Sequence, residues 1–319
     1  MSSDHVASIG AFDADFVRSW GYNGDGSGGS SFPGVQVRTV NTSSGVFDWS
    51  QFDLMFSSNT GKKVMVCLGI PADWMITRSA VGGATYGGKS NMVPTGATEI
   101  NNYLGCVTAM VERARDTHGQ IGLVWELWNE FDDSALMGEG ISAFVAHAKA
   151  VYQAIKAIDS TATVLSPSIT QPSQTTLFAQ FFSTSDGSGG YGGDWCDGAS
   201  FHFYDVWSSD TALGYWVGVQ QVRRAMGSYS ELPLYVTESG FFASQFESRD
   251  LRRRMLAFAA LGIQHFVGYS LDFVVNPMLP FADEYNEMAG LLRGATVGNI
   301  RAWPDGAVSV DVDGVTVKI

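Results

Sequence analysis

The sequence predicts an α/β protein, a (β/α)8 TIM barrel with a small C-terminal β appendage. Apolar runs alternate along the chain with segments of helical periodicity, which is the pattern of parallel strands wrapped by helices. Two of these runs end abruptly on a carboxylate, Glu130 and Glu238, as buried strands do when they deliver an acid to the mouth of a barrel. The two glutamates are 108 residues apart (238 − 130), about the length of three strand–helix units in a barrel of roughly 250 residues.

The predicted strands are short apolar runs bounded by loop-forming residues. Seven runs fit this description: residues 16–20, 63–69, 122–129, 163–168, 199–204, 234–238 and 265–271. An eighth strand near residues 5–10 or near residues 35–40 would complete the barrel, and the sequence does not choose between them.

The predicted helices carry apolar residues at three- and four-residue spacing. They cover residues 98–118, 141–159, 175–183, 211–228, 248–261 and 284–292. Gly/Ser-rich stretches at residues 23–34, 81–96 and 186–193 are predicted to be loops, because strand and helix patterns resume on both sides of each. We expect the last two at the C-terminal face of the barrel, where a substrate would be held.

The C-terminal residues predict a β-hairpin. Valines alternate with polar residues from 308 to 312, and Asp313-Gly314 is a favoured hairpin turn. The predicted organisation is therefore one barrel of residues 1–297 and a hairpin appendage of residues 298–319, which could also be the start of a longer β module.

The composition indicates a globular, acidic protein. Hydrophobic residues make up 45% of the chain, and 32 Asp and Glu residues outnumber 19 Lys and Arg residues, giving a net charge of −13. This charge would repel nucleic acid and anionic membrane surfaces, so we expect neither as a partner. No apolar run is long enough to span a bilayer. No signal peptide is recognisable, which leaves the location open between the cytoplasm and export by another route.

The cysteines predict no special chemistry. Cys67, Cys106 and Cys196 are an odd number without CxxC spacing, so neither a disulfide framework nor a zinc site is expected. We predict no metal and no cofactor.

Polar motifs stand at the ends of three predicted strands. Asn129-Glu130 ends the fourth, His202-x-Tyr204 the sixth, and Glu238 the seventh. In this order they resemble the signature of clan A glycoside hydrolases. The resemblance implies a TIM barrel and cleavage of glycosidic bonds.

Within that clan, the N-terminal half of the chain resembles glycoside hydrolase family 39. The resemblance rests on the segment Gly-Val-Phe-Asp-Trp-Ser at residues 45–50, on the strand at 63–69, and on Pro71 and Trp74 after it. It extends from about residue 16 to residue 292.

The resemblance implies a role for each motif residue. Glu130 would be the acid/base and Glu238 the nucleophile, about 5–5.5 Å apart as in retaining enzymes. Asn129 would bind the sugar 2-hydroxyl, Tyr204 would hold Glu238 ionised, and His202 would line the same wall. We also expect burial and the charge of Glu238 to raise the pKa of Glu130.

An arginine is expected beside the nucleophile. Arg18, in the first of the seven runs, resembles the clan's second-strand arginine, and Arg38 is a rival for the role. Glu126 shares the parity of Glu130 on its strand, so it should point the same way and be the partner of a buried arginine.

Aromatic residues could supply sugar-stacking platforms. Trp74 and Trp207 follow strand ends and are the better candidates, whereas Trp125 and Trp216 are assigned to packing. The eighth strand lacks the tryptophan that usually lies under the reacting sugar, and Tyr269 or Gly268 stands near that position. Phe131 replaces a common proline after Asn129-Glu130, which predicts a different path for the loop.

These expectations add up to a retaining glycoside hydrolase that cleaves an oligo- or polysaccharide with two glutamates. The alternative is a non-catalytic carbohydrate-binding protein on a glycosidase-like barrel. The sequence leaves the sugar, the linkage and the oligomeric state open.

Overall fold

A computed structural model describes residues 16–19, 35–79, 92–134, 140–204, 212–241, 248–270, 282–302 and 308–318. The strands are β1 (Phe16–Ser19), β2 (Asn41–Ser43), β3 (Val46–Phe47), β4 (Lys63–Cys67), β5 (Val124–Glu126), β6 (Thr163–Leu165), β7 (Ala199–His202), β8 (Leu234–Phe241), β9 (Ile263–Ser270), β10 (Val297–Ala302), β11 (Val308–Val312) and β12 (Val315–Lys318). The helices are α1 (Val37–Val40), α2 (Ser50–Ser58), α3 (Gly96–His118), α4 (Phe131–Ser134), α5 (Gly140–Ile158), α6 (Thr176–Ser183), α7 (Ala212–Met226), α8 (Ser248–Ala260) and α9 (Ala282–Leu292).

Parallel strands form two sheets that follow chain order. One sheet has the order β1-β4-β5-β6 and the other has the order β7-β8-β9. A parallel bridge between Leu165 and Gly198 links β6 to the residue just before β7, and β1 lies beside β9 at the other end. Carboxyl ends of parallel strands gather at one edge, so motifs at those ends are brought together.

The predicted helices are present as α3 and α5 to α9, and the helix α2 was not predicted. Its buried residues Phe52, Met55 and Phe56 have helical spacing, but the helix is only nine residues long. Among the described residues, no helix combines the length and apolar character needed to cross a bilayer.

The prediction of a strand near residues 35–40 is wrong, because α1 occupies this segment. The Val37 amide does bond to Leu68 O beside β4 at 3.1 Å, but the Val40 amide turns back to Gln36 O at 3.0 Å. The hydroxyl of Thr39 also bonds to Gln36 O, which favours the helical turn over an extended strand. The other option, residues 5–10, lies outside the described residues.

The Gly/Ser-rich loop at residues 186–193 is at the wrong end of the sheet for a substrate loop. It follows α6 and precedes β7, so it connects a helix to the start of a strand. The Asp186 carboxylate holds the loop together: it accepts hydrogen bonds from the Ser188 amide, the Gly190 amide and the Lys149 ammonium at 2.7–3.0 Å. The stretch at residues 23–34 and most of the stretch at 81–96 lie outside the described residues.

The hairpin predicted at the C-terminus is confirmed. Val312 pairs with Val315 across Asp313-Gly314, whose φ values of 48° and 82° are those of a tight hairpin turn. β10, which begins at Val297, pairs with β11 and makes the sheet three-stranded. The division into a barrel and a separate appendage stays a prediction.

Besides a group of four side chains from the parallel strands, Met65, Val124, Leu165 and Tyr235, two larger groups of buried apolar side chains stabilise these layers. The larger one joins the parallel strands to the helices around them. The smaller one lies between α8, α9 and the C-terminal sheet, and its buried members are Leu251, Met255, Leu256, Met288, Val310 and Val312. The three cysteines are buried and free.

Candidate active site

Two glutamates from different sheets meet at the carboxyl ends of the strands. Glu130 lies four residues beyond the end of β5, and Glu238 lies within β8. One carboxylate oxygen of each and a ring nitrogen of His202 lie within 4.8 Å of one another. The Glu238 side chain is only 6% exposed and that of Glu130 is 25% exposed. The two carboxyl groups are therefore adjacent but differ in their access to water.

Fixed hydrogen-bond donors surround Glu238. Nη1 of Arg18 donates to Oε1 at 2.5 Å, and the hydroxyl of Tyr204 donates to Oε2. Nδ1 of His202 lies 3.4 Å from the same Oε2. Donors on both oxygens therefore hold the carboxylate of Glu238 in one orientation.

Arg18 connects Glu238 to two further residues. Its Nε donates to Glu126 at 2.9 Å, and its Nη2 donates to Oδ1 of Asn129 at 2.8 Å. Burial by itself would lower the pKa of Arg18, but the charges of Glu126 and Glu238 raise it well above its usual value. Arg18 is thus the arginine that contacts Glu238, while its rival Arg38 belongs to α1.

Glu126 is the buried partner of Arg18, as predicted. It also accepts hydrogen bonds from the hydroxyls of Ser200 at 2.5 Å and Thr237 at 2.8 Å. Burial would raise the pKa of Glu126, but the charges of Arg18 and His202 and the hydrogen bonds from Ser200 and Arg18 lower it below its usual value. Glu126 is therefore an ionised group beneath the two strand-end carboxylates.

His202 lies between the two strand-end glutamates. Its Nδ1 is 2.9 Å from Oε1 of Glu130, and its side chain is fully buried. Burial would lower the pKa of His202, but the charge of Glu238 and the hydrogen bond to Glu130 raise it. His202 therefore favours the imidazolium form in the free site.

The expected rise in the pKa of Glu130 is wrong for this state of the site. Burial does raise the pKa of Glu130, but the hydrogen bond and charge of His202 and the charge of Arg18 outweigh it, so the net shift is downward. Burial and the charge of Glu238 were the expected causes of a rise, and the imidazole of His202 at hydrogen-bond distance from Glu130 reverses the direction.

The same three side chains could offer ligand atoms to a cation, because carboxylate and imidazole are metal ligands. The hydrogen bonds around these side chains disfavour metal binding. The guanidinium of Arg18 already bonds to Glu238, and Nδ1 of His202 is engaged by Glu130. The arrangement suits exchange of a proton between the side chains better than coordination of a metal.

The backbone of Glu130 adopts an unusual conformation. Its φ is +44°, and Asp313 is the other non-glycine residue with a positive φ in the part of the chain that the structure describes. A left-handed conformation in a residue with a Cβ costs on the order of 1–3 kcal/mol and persists where surrounding contacts enforce it. The Glu130 amide donates to Oγ of Ser168 at 3.0 Å.

The predicted aromatic platforms are only partly described. Trp74 is half-buried, packs against the main core, and donates from its indole to Asn41 O at 3.0 Å. Trp207 lies outside the described residues. Tyr269 pairs with Gly240 through the backbone of β9, but its side chain is outside the described part, so its stacking role stays a prediction.

Two packing assignments have different outcomes. Trp125 is fully buried, as expected, whereas Trp216 is 43% exposed on α7 and its assignment to packing is wrong. Phe131 begins the short helix α4 and packs on Phe144 and Phe181. The aromatic ring at this position joins the core, which gives the chain after Glu130 its path.

Sequence reasoning missed three hydroxyl residues of the site. Ser200 and Thr237 bind Glu126, and Ser168 binds the Glu130 backbone. Ser168 and Thr237 lie at or near the end of a predicted strand, whereas Ser200 is the second residue of another, and Thr237 directly precedes Glu238. Small polar residues at such positions were the available signal, because a hydroxyl buried between strands needs a hydrogen-bond partner.

Comparison with known proteins finds matches among solved structures. No protein-family model and no curated protein sequence matches the chain. A family 39 glycoside hydrolase from the gut symbiont Bacteroides cellulosilyticus WH2 is similar with a TM-score of 0.64 and 16% identity, covering 98% of this chain and 65% of that one.

Two further solved structures are similar over most of the chain. A monomeric β-xylosidase from Caulobacter crescentus CB15 has a TM-score of 0.67 at 17% identity, covering 96% of this chain and 67% of that one. Endo-glycoceramidase II from Rhodococcus sp. has a TM-score of 0.56 at 14% identity, covering 97% and 78%. The chain thus spans about two thirds of the length of the first two proteins. As its motifs predicted, the chain is similar in fold to the TIM-barrel glycoside hydrolases of family 39 and other clan A families.

Proposed function

We propose that the chain is a retaining glycoside hydrolase on a complete (β/α)8 barrel and that it cleaves an oligo- or polysaccharide. The observation that carries the proposal is the pair of adjacent strand-end carboxylates, of which Glu238 is held by Arg18 and Tyr204 while Glu130 is the more exposed. Retaining enzymes need this combination of a fixed nucleophile and a carboxyl group that exchanges a proton.

In the first step, a carboxylate oxygen of Glu238 forms a bond to the anomeric carbon, and the glycosidic C–O bond breaks. Glu130 gives its proton to the leaving oxygen, so the products are an alcohol and a glycosyl ester of Glu238. In the second step, Glu130 takes a proton from water, whose oxygen attacks the anomeric carbon. The ester bond breaks, Glu238 becomes a carboxylate again, and the sugar keeps its anomeric configuration.

His202 supplies the proton that Glu130 needs. The raised pKa of His202 favours a proton on its ring, and Nδ1 of that ring lies 2.9 Å from Oε1 of Glu130. The charge of Glu238 is one cause of the raised pKa of His202, and that charge is consumed as Glu238 attacks. The pKa of His202 therefore falls at the stage when the leaving group requires a proton. The proton then moves from His202 through Glu130 to the leaving oxygen.

Asn129 contributes to binding of the sugar. Nη2 of Arg18 donates to its Oδ1, which identifies the oxygen and turns the amide nitrogen away from the guanidinium. In that orientation the nitrogen can donate to a sugar hydroxyl, and a bond to the 2-hydroxyl strengthens in the transition state.

The substrate class is a neutral or weakly charged glycan. The net charge of −13 disfavours a heavily sulfated or uronic polymer. Proteins of similar structure include a β-xylosidase and an endo-glycoceramidase, so a test has to cover both small glycosides and larger glycans.

The test is turnover of 4-nitrophenyl xyloside, glucoside and galactoside, xylan and mixed glucans by the wild type and by Glu238→Gln. We expect the substitution to reduce turnover by roughly a thousandfold or more, because it removes the nucleophile. The matched control is Glu112→Gln on the exposed face of α3, which should keep wild-type turnover. Proton NMR of the first product formed should show the anomer of the substrate.

An inverted product, or a Glu238→Gln variant as active as the wild type, would overturn the mechanism. Binding of a glycan by the wild type without any turnover would support the alternative, a non-catalytic carbohydrate-binding protein.

A further inference from the structure

One residue, Ser168, fixes the chain on both sides of Glu130. The Ser168 amide donates to Trp128 O at 2.8 Å, and Ser168 O accepts from the Phe131 amide at 3.0 Å. Between them, Oγ of Ser168 accepts from the Glu130 amide at 3.0 Å and donates to Trp128 O at 3.3 Å. Ser168 is fully buried, so no water competes for these bonds.

The Oγ bond is the one that depends on the side chain. The two backbone bonds would survive any substitution at Ser168 except proline. The Glu130 amide takes no part in the strand pairing, because β5 ends at Glu126, and a buried amide without a partner is costly. The serine hydroxyl gives this amide a partner in the left-handed conformation.

The backbone conformation of Glu130 determines where its carboxyl group lies. A change from φ +44° to a negative φ would swing the Cα–Cβ bond away from its present direction. The contact of Oε1 with Nδ1 of His202 at 2.9 Å would then be lost.

We propose that Ser168 is a positioning residue for the acid/base Glu130: its hydroxyl holds the left-handed backbone that points the carboxyl group at His202 and Glu238. This inference rests on the proposed function of Glu130 as the acid/base. If Glu130 has that function, loss of the Ser168 hydroxyl should have a measurable effect on the kinetics. A misplaced acid lowers the rate of glycosidic bond cleavage when the leaving group is poor and needs a proton. It changes that rate little when the leaving group departs unprotonated.

The experiment compares Ser168→Ala with the wild type on the methyl and 2,4-dinitrophenyl glycosides of the sugar that the substrate panel identifies, beginning with β-D-xylose. We expect kcat/KM to fall about 10- to 100-fold on the methyl glycoside and to change less than about threefold on the dinitrophenyl glycoside. On the latter, kcat and KM should fall together, because removal of the sugar from Glu238 still requires Glu130 as a base.

The matched control is Ser166→Ala. Ser166 is also fully buried two residues earlier, and its Oγ accepts the Ser200 amide at 3.0 Å, the same kind of bond to a different strand. Its loss should lower stability to a similar degree and leave the ratio of the two kcat/KM values unchanged. If Ser168→Ala does not fold, Ser168→Cys fills nearly the same volume with a weak acceptor and should shift the ratio in the same direction.

A crystal structure of Ser168→Ala tests the inference without any activity. We expect Glu130 to leave the left-handed region and its Oε1 to move beyond hydrogen-bond distance of His202. An unchanged φ with the His202 contact intact would overturn the inference, and so would an equal fall in kcat/KM on both glycosides. A wild type that cleaves no glycoside would instead contradict the proposed function, while the structural comparison would still decide the role of Ser168.

Discussion

Arg18 is the residue that holds the buried charges of the site together. Its guanidinium bonds to Glu126, Glu238 and Asn129 through three different nitrogens. Its side chain is 2% exposed, and the side chains of its carboxylate partners Glu126 and Glu238 are 0% and 6% exposed. A planar, forked cation can serve several acceptors at once, which a point charge cannot do.

We therefore predict a large effect of Arg18→Lys even though the charge is kept. The ammonium of lysine can reach one of the two carboxylates well, so kcat/KM should fall at least about 100-fold, and the free energy of unfolding should fall by about 1–3 kcal/mol because a buried acceptor loses its donor. The measurements are steady-state kinetics and urea denaturation.

The control for this prediction is Arg113→Lys. Arg113 also bonds to a carboxylate through two nitrogens, but its pair with Asp53 is nearer the surface, with side chains 28% and 35% exposed. This substitution should cost less than about 1 kcal/mol and leave activity unchanged. Wild-type kinetics in Arg18→Lys would show that a single charge beside Glu238 is sufficient.

At the scale of a secondary-structure element, helix α5 carries a buried histidine. His147 lies edge-on to Tyr103 and Trp128, with ring centroids 4.7 Å and 6.2 Å away. Neither of its ring nitrogens has a hydrogen-bond partner among the described residues. Burial lowers the pKa of His147 to about 3, so the ring is neutral wherever the protein is folded at moderate pH.

This histidine should make the fold sensitive to acid. The unfolded chain binds a proton on His147 below pH about 6.5, and the folded protein does so only near pH 3. The unfolded state therefore binds more protons in this window, and the free energy of unfolding should fall by about 1.4 kcal/mol per pH unit as the pH decreases through it. Above about pH 6.5 the contribution is fully present.

We predict that His147→Leu removes this part of the pH dependence. Leucine is apolar and has no group to protonate, so between pH 6 and pH 4 the decline in unfolding free energy should be smaller by about 1.4 kcal/mol per pH unit. Urea denaturation at a series of pH values measures it. A slope equal to that of the wild type would mean that His147 is protonated inside the fold.

At the scale of the whole molecule, helix α8 belongs to the two larger groups of buried side chains. Ala257 and Phe258 are in the main core, whereas Leu251 and Leu256 are in the smaller core shared with α9 and the C-terminal sheet. The same helix therefore couples the parallel strands to the C-terminal sheet, and we expect the two parts to unfold together.

Leu251→Ala tests that coupling. Leu251 is fully buried, so the substitution should lower the free energy of unfolding by about 2–5 kcal/mol. Circular dichroism and tryptophan fluorescence should report one shared transition at the lower midpoint. Leu291→Ala, at a position 39% exposed on α9, is the control and should shift the midpoint little. Two separate transitions would show that the C-terminal sheet is an independent unit.

The sequence by itself determined the features that depend on local pattern. Helical periodicity and turn dipeptides are visible within short stretches of the chain. The sequence therefore predicted the helices α3 and α5 to α9 and the turn at Asp313-Gly314. The ends of parallel strands gather at one edge, so Glu130 and Glu238 could be predicted as neighbours. Parity along a strand predicted that Glu126 points the same way as Glu130, and a carboxylate buried there favoured an arginine partner.

Only the tertiary structure decided the features that depend on which distant residues meet. Arg18 is separated in sequence by 108 residues from Glu126 and by 220 residues from Glu238, yet it bonds to both. No local pattern distinguished it from Arg38. The direction of the pKa shift of Glu130 reversed for the same reason. Burial alone would raise this pKa, and the cation that lowers it, His202, lies 72 residues away in sequence and 2.9 Å away in space. A pKa depends on the charges that surround a group in three dimensions, and the fold alone brings those charges together.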